Sequence, residues 1–175
     1  MKVITFSRVF PAYHPKKGQP TYFVEKIWKS FGINPHFPSP SLSIHNQSLP
    51  YSLIKSVGET LDCPNFFNPK HHTIRAGNRW KVGDKFSPRV WSGKPYQSKQ
   101  IIIAPDIEVK KVLDLKVSNK GFFINGNFCN VDIMDSIIKN DGLSVDDFYD
   151  WFEKPIKDSK ESNLQIICWN ISEQT

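Results

Sequence analysis

The chain has 175 residues, a formal net charge of +6 at pH 7 and 39% hydrophobic residues. This length predicts a single domain with one hydrophobic core, and the composition excludes a disordered chain. The three cysteines are widely spaced and odd in number, which argues against a disulfide framework or a structural zinc site and fits a cytoplasmic protein. The positive charge favours polyanionic partners without establishing one.

No apolar run is long enough for a membrane span or a secretory signal, so no membrane partner is expected. The histidines, cysteines and carboxylates do not stand at metal-ligand spacings, and the chain has no glycine-rich phosphate loop. The sequence therefore predicts neither a metal site nor a cofactor.

The N-terminal third predicts a strand, a helix and a long irregular segment. β-Branched and aromatic residues alternate with polar ones over residues 2–10, as is typical of a strand. Thr21 is the expected N-cap of an amphipathic helix that ends at Gly32. Residues 34–50 contain four prolines, which exclude a helix or a central strand. A short helix is expected over residues 52–60.

The middle of the chain predicts several short strands, over residues 71–75, 85–91, 99–103 and 107–117. Asn125 and Gly126 then stand between two aromatic-rich runs. Asn-Gly is a strong hairpin signal, because both central positions of a type I′ turn favour positive φ.

The C-terminal part predicts two helices and a final strand, over residues 133–140, 145–152 and 164–171. Asp132 is the expected N-cap of the first helix, and Asp141-Gly142 ends it in a left-handed conformation. Ser144 and Asp147 form a capping-box pattern for the second helix, which should end before Pro155. Short strands with two or three helices predict an α+β fold, in which a small barrel carries helices over its ends.

Lysines, arginines and aromatic residues are concentrated between residues 70 and 100. This stretch begins with Lys70, Thr73 and Arg75. If it is extended, Thr73 and Arg75 share a face, because strand side chains alternate. An ammonium, a hydroxyl and a guanidinium then converge, and a hydrophobic core has no use for three such groups.

The string Lys70-x-x-Thr73-Ile74-Arg75, followed by Gly77-x-x-Trp80-x-x-Gly83-Asp84, resembles the ASCH-domain family. That family has a PUA-like β-barrel fold and is linked to RNA and modified nucleosides. Its nearest branch of known activity is the 4-acetylcytidine amidohydrolases, and compact proteins of this kind occur in phages and mobile elements. The resemblance implies one ASCH/PUA-like domain over residues 1–175, with a core at 68–175 and an N-terminal extension at 1–67 that packs on it.

The resemblance implies that Thr73 attacks an acyl carbonyl while Lys70 accepts its proton. Thr73 needs such a base, and Lys70 can act as one only if burial or a nearby cation lowers its pKa. Arg75, or His72 as a second candidate, would supply that cation, and Arg75 would also stabilise the oxyanion. Asp141 occupies the place of the family's catalytic glutamate. It departs from the pattern by one methylene, which puts the activity in doubt because catalysis tolerates little misplacement.

Two other interpretations of this segment remain open. Lys70, Thr73 and Arg75 could only bind an anion such as a phosphate. Asp141 could be an ordinary C-terminal residue of a helix, since Asp-Gly is common turn chemistry.

Aromatic residues among the cations are typical of a surface that stacks on bases and neutralises phosphates. The candidate substrate- or nucleic-acid-binding residues are Arg75, Arg79, Trp80, Trp91, Lys94, Tyr96 and Lys99. Each tryptophan could instead be structural. Tyr96, in a loop with Gly93 and Pro95, is the better candidate for a ligand contact.

The sequence therefore predicts a protein that binds RNA or a modified nucleoside in a basic cleft and hydrolyses an N-acylated cytidine amide. One alternative is a non-catalytic RNA- or DNA-binding module, or a ribonuclease. Another is a protein–protein adaptor that uses the proline-rich residues 34–50.

Overall fold

The computed structural model describes residues 1–32, 42–44, 47–49, 68–157 and 162–170. The chain divides into two compact units. Unit 1 comprises residues 1–69 and 85–107, and unit 2 comprises residues 70–84 and 108–175. Residues 85–107 thus cluster with the N-terminal segment, and the division into an extension and an ASCH core stays a prediction.

The helices and strands of the described residues are, in chain order, β1 (Lys2–Thr5), α1 (Phe23–Ser30), β2 (Leu42–Ile44), β3 (Gln47–Leu49), β4 (His72–Ala76), β5 (Lys85–Trp91), β6 (Gln100–Ile102), β7 (Ile107–Glu108), β8 (Lys111–Ser118), β9 (Gly121–Ile124), β10 (Asn127–Phe128), α2 (Val131–Asp141), α3 (Val145–Lys157) and β11 (Ser162–Cys168).

Unit 1 is organised around β5. β1 pairs with β5 in parallel, and β6 pairs with β5 antiparallel. The short β7, which begins at the last residue of this unit, also pairs with β5. The sequence predicted β5 with the observed bounds, because its alternation is bracketed by turn residues on both sides.

The core of unit 1 is aromatic and β-branched. The buried side chains include Ile4, Phe6, Phe23, Ile27, Trp28, Phe86, Val90 and Ile103. The indole Nε1 of Trp28 donates a buried hydrogen bond of 2.7 Å to the carbonyl oxygen of Ile103. This bond lets helix α1 bury its largest side chain without leaving a donor unpaired.

Two local predictions in unit 1 need correction. The strand predicted over residues 2–10 ends at Thr5, well before the first proline. The N-cap of α1 is Tyr22 and not Thr21, although Thr21 Oγ1 still accepts a hydrogen bond from the Phe23 amide. The Thr21 hydroxyl also donates a hydrogen bond of 2.7 Å to the Ser7 carbonyl.

Part of the proline-rich segment forms a small hairpin, in which β2 and β3 pair antiparallel. This two-stranded ribbon agrees with the expectation that residues 34–50 hold no central strand. The remaining residues of that segment, and the helix predicted over residues 52–60, lie outside the described residues.

Unit 2 contains a five-stranded sheet in the order β10-β9-β8-β11-β4. Its described pairs are antiparallel, and β11 lies between β8 and β4. Thr73 stands opposite Ile167, and Arg75 opposite Gln165. β4 is therefore an edge strand that carries candidate site residues on a five-stranded support.

Helix α2 packs against β4 and α3, and α3 packs against β8. The β9–β10 turn has Asn125 at φ 48° and Gly126 at φ 84°, the two positive values that a type I′ turn requires. Gly142 ends α2 at φ 76°, so this predicted left-handed end is also observed.

Several predicted boundaries in unit 2 differ from the structure. Asn130 caps α2, with its side chain accepting from the Ile133 amide over 2.9 Å, and Asp132 lies inside the first turn. α3 runs to Lys157 and includes Pro155, where the sequence predicted its end. The strand predicted over residues 107–117 is two strands, β7 and β8.

Both units mix helices and sheets, so the α+β class is observed. Among the described strands, each sheet has an open strand order without a closing pair. These open strand orders show the α+β class but do not show a closed barrel, so the PUA-like barrel stays a prediction.

Candidate functional site

The N-terminal end of strand β4 meets the C-terminal end of helix α2 in unit 2. The main-chain amide of His71 donates to the carbonyl of Asn140 over 2.8 Å, which fixes the two elements together. The last carbonyls of a helix lack partners within it, so groups from elsewhere must satisfy them. The two residues that precede β4 supply those groups here, His71 through its amide and Lys70 through its side chain.

Lys70 and Asp141 form a buried ion pair at this junction. Lys70 Nζ donates to Asp141 Oδ1 and to the Asp141 main-chain oxygen, each over 2.7 Å. The two residues are only 1% and 5% exposed. A lone buried charge would be costly, and this pairing satisfies both the ammonium and the carboxylate.

The pKa of Lys70 is lowered from its ordinary value, chiefly because burial disfavours the charged ammonium. Asp141 opposes this effect through charge and a hydrogen bond, and the Arg75 guanidinium adds to the lowering. Lys70 is therefore shifted towards the neutral amine that a general base must be.

His72 belongs to the same cluster, with its Nε2 3.8 Å from Asp141 Oδ1. Lys70 and His72 are two positions apart, which is the spacing that puts extended side chains on one face. Burial, Lys70 and His71 lower the pKa of His72 well below its ordinary value. This lowering disfavours the charged imidazolium, so the direction of the shift favours Arg75 over His72 as the cation that the sequence predicted.

Thr73 and Arg75 fall on the alternate positions of β4. Thr73 is buried, and Thr73 Oγ1 is not among the described hydrogen-bond partners of Lys70 Nζ. Arg75 interacts electrostatically with Asp141, which favours its charged form, although burial lowers the pKa of the guanidinium. The structure therefore brings Lys70, Arg75 and Asp141 into one electrostatic cluster, with Thr73 beside it in sequence.

Trp80 is 2% exposed, so it offers little surface for stacking on a base. The side-chain amide of Gln165 binds both main-chain groups of Trp80. It accepts a hydrogen bond from the Trp80 amide and donates one to the Trp80 carbonyl. The guanidinium of the exposed Arg79 lies 5.5 Å from the Trp80 ring centre. Gln165 was not predicted, although a polar residue within the apolar run of β11 was an available signal.

The other predicted binding residues belong to unit 1. Trp91 is the last residue of β5, and the exposed Lys94, Tyr96 and Lys99 follow it in the loop to β6. The Trp91 and Tyr96 rings are 5.3 Å apart between centres.

Within the described residues, no group of three or more histidine, cysteine or acidic side chains could hold a metal ion. No helix of the described part of the chain is both long and apolar enough to cross a membrane.

Comparison of the chain with protein-family models, with curated proteins and with solved structures found no match. A function is therefore inferred from the geometry of the described residues and from the motif that begins at Lys70.

Proposed function

We propose that the chain is an ASCH-type, PUA-like protein that binds an acylated cytidine, free or within RNA, and hydrolyses its N-acyl amide. The observation that carries the proposal is the buried contact of 2.7 Å between Lys70 Nζ and Asp141 Oδ1. An amine with a lowered pKa beside a carboxylate is a typical proton-transfer pair, and such groups concentrate at functional sites.

The proposed reaction has two steps. Thr73 Oγ1 attacks the acyl carbonyl carbon while Lys70 takes the hydroxyl proton and Arg75 stabilises the developing oxyanion. The amide C–N bond then breaks, the proton passes from Lys70 to the leaving amine, and water hydrolyses the acyl-threonine. Asp141 holds Lys70 in place and stabilises the protonated state between the two transfers.

This mechanism requires that Thr73 Oγ1 come within hydrogen-bond distance of Lys70 Nζ when the substrate binds. Catalytic hydrogen bonds often tighten only in the substrate complex. Substitution of Thr73 is therefore the sharpest test of the mechanism.

The protein should convert 4-acetylcytidine to cytidine and acetate. Chromatography of the reaction mixture measures the cytidine that is formed. Thr73→Val keeps the shape of the side chain but removes the nucleophile, so we expect turnover to fall by at least about 100-fold. Thr5→Val, at the end of β1 in unit 1, is the matched control and should retain turnover. Equal turnover in wild type and Thr73→Val, or none in the wild type, would contradict the proposal.

A non-catalytic function is favoured by one observation. The second hydrogen bond of Lys70 goes to the last main-chain carbonyl of α2, as expected for a lysine that caps a helix C-terminus. In that case the site binds RNA or a nucleoside without turnover. Salt-dependent retention of RNA in a gel, with no release of cytidine, would support this second candidate.

The ribonuclease and the adaptor stay predictions. Most of the proline-rich segment to which the adaptor hypothesis assigned a partner lies outside the described residues.

A further inference from the structure

The loop between β5 and β6 of unit 1 combines exposed aromatic surface with unpaired positive charge. Tyr96 is 88% exposed, the largest exposure among the large hydrophobic side chains of the described residues. Its ring leans on that of Trp91, with 5.3 Å between centres and 50° between planes. Trp91 thus supports one side of the tyrosine and leaves the rest open to solvent.

Tyr96 is held in an unusual main-chain conformation. Its φ is 62°, in the left-handed region that residues other than glycine rarely occupy. Such a conformation persists only where the surrounding structure imposes it, and it is concentrated at ligand sites. The main chain of the loop is therefore held in a defined conformation at the residue that carries the exposed ring.

The loop is closed by its own hydrogen bonds. The Ser92 amide donates to the Lys99 carbonyl over 2.9 Å, and Ser98 Oγ donates to the Lys94 carbonyl over 2.9 Å. Ser98 Oγ also accepts from the Gly93 amide over 3.0 Å. These bonds preorganise the loop, so a ligand that binds to Tyr96 meets a shape already formed.

Two exposed lysines stand on either side of Tyr96 in the sequence. Lys94 precedes Tyr96 by two positions and Lys99 follows it by three, and neither forms an ion pair within the described part of the chain. Residues 85–105 contain no aspartate or glutamate, although Lys85 and Arg89 also lie there. The segment therefore has a uniformly positive charge, which attracts a polyanion.

We propose that the loop of residues 92–99 is a binding surface for single-stranded nucleic acid, on which an unpaired base stacks against Tyr96 while Lys94 and Lys99 contact the flanking phosphates. An exposed aromatic ring in a loop with a lysine before and after it matches a base with a phosphate on each side. A duplex is a poorer match, because its bases are already stacked and paired. This surface goes beyond the proposed hydrolysis.

The test uses fluorescence anisotropy of the whole protein with two labelled probes of equal length, oligouridylate and an abasic oligonucleotide. Tyr96→Ala should weaken binding of oligouridylate by about 10-fold, which lies within the range of about 5- to 150-fold that stacking on one aromatic residue contributes. It should leave binding of the abasic probe within about two-fold. Tyr96→Phe should retain binding, and Tyr13→Ala, which removes another exposed tyrosine of unit 1, is the control.

Lys94→Gln and Lys99→Gln should each reduce the slope of log Kd against log salt by about one, because each lysine releases one counterion. Polyglutamate should compete poorly with oligouridylate. The inference is overturned if Tyr96→Ala weakens both probes equally, if it weakens neither, or if polyglutamate competes as well as RNA. These measurements follow binding and not turnover, so their failure is distinguishable from failure of the proposed hydrolysis.

Discussion

At the scale of single residues, two ion pairs among the described residues have equal lengths but opposite environments. Lys70 Nζ and Asp141 Oδ1 are 2.7 Å apart with side chains 2% and 7% exposed. Lys110 Nζ and Glu108 Oε1 are also 2.7 Å apart, but their side chains are 48% and 43% exposed. Removing one partner of a buried pair strands the other charge without water, whereas an exposed partner is simply rehydrated.

We predict that Asp141→Ala lowers the free energy of unfolding by about 3–5 kcal/mol at pH 7. The matched change Glu108→Ala should cost at most about 1 kcal/mol. Urea denaturation of both variants measures the difference. Comparable losses in the two variants would mean that burial does not govern the energetics of these pairs.

The loss of stability caused by Asp141→Ala should depend on pH, and the pKa of Lys70 sets the sign of that dependence. Burial lowers the pKa of Lys70 in the folded state below its unfolded value, so the unfolded chain binds more protons between the two values. Stability therefore rises with pH across that window. Asp141→Ala removes the carboxylate that opposes the lowering of the Lys70 pKa. The stability lost by this variant relative to the wild type should therefore shrink as the pH is raised from 7 towards 10. Urea denaturation at several pH values measures this loss.

At the scale of secondary-structure elements, the ends of α2 show how local chemistry fixes a boundary. Asn130 accepts a hydrogen bond from an amide of the first turn, which satisfies one of the unpaired donors there. Asp132 lies within that turn and can contribute only through its charge near the helix N-terminus. The sequence predicted Asp132 as the cap, and the structure places the cap two residues earlier, at Asn130.

We predict that Asn130→Ala lowers the free energy of unfolding by about 1 kcal/mol. Asp132→Ala, two positions away and also at an exposed residue, is the control and should cost about half of that or less. Thermal or urea denaturation of the two variants measures this. A larger loss in Asp132→Ala would contradict the assignment of the cap.

At the scale of the whole molecule, stability depends on pH because titratable groups bind protons differently in the folded and unfolded chain. His72 is the buried histidine of the Lys70–Asp141 cluster, and its pKa in the folded state lies well below the unfolded value. As the pH falls through about 6.5, His72 binds a proton in the unfolded chain but not in the folded chain. The contribution of His72 is thus complete above pH 6.5 and is lost on acidification.

We predict that the free energy of unfolding of the wild type falls more steeply between pH 7 and 5 than that of His72→Gln. The difference in slope should approach about 1.4 kcal/mol per pH unit, the value for one group. The carboxylates and His71 are common to both proteins and cancel in the comparison. Parallel pH profiles would show that His72 titrates alike in the folded and unfolded states.

The sequence by itself determined features that arise within a few residues of one another. The bounds of β5, the Asn125-Gly126 turn and the left-handed end of α2 at Gly142 follow from alternation and from the conformations that glycine and asparagine allow.

Only the tertiary structure decided which distant groups meet. Lys70 and Asp141 are 71 positions apart, and Trp28 and Ile103 are 75. The resemblance to a family suggested the first pair, while local patterns suggested neither, because a side chain's own sequence neighbours do not specify where the chain returns. The tertiary structure also buried Trp80 and lowered the pKa of His72, since burial and pKa depend on all the atoms packed around a group.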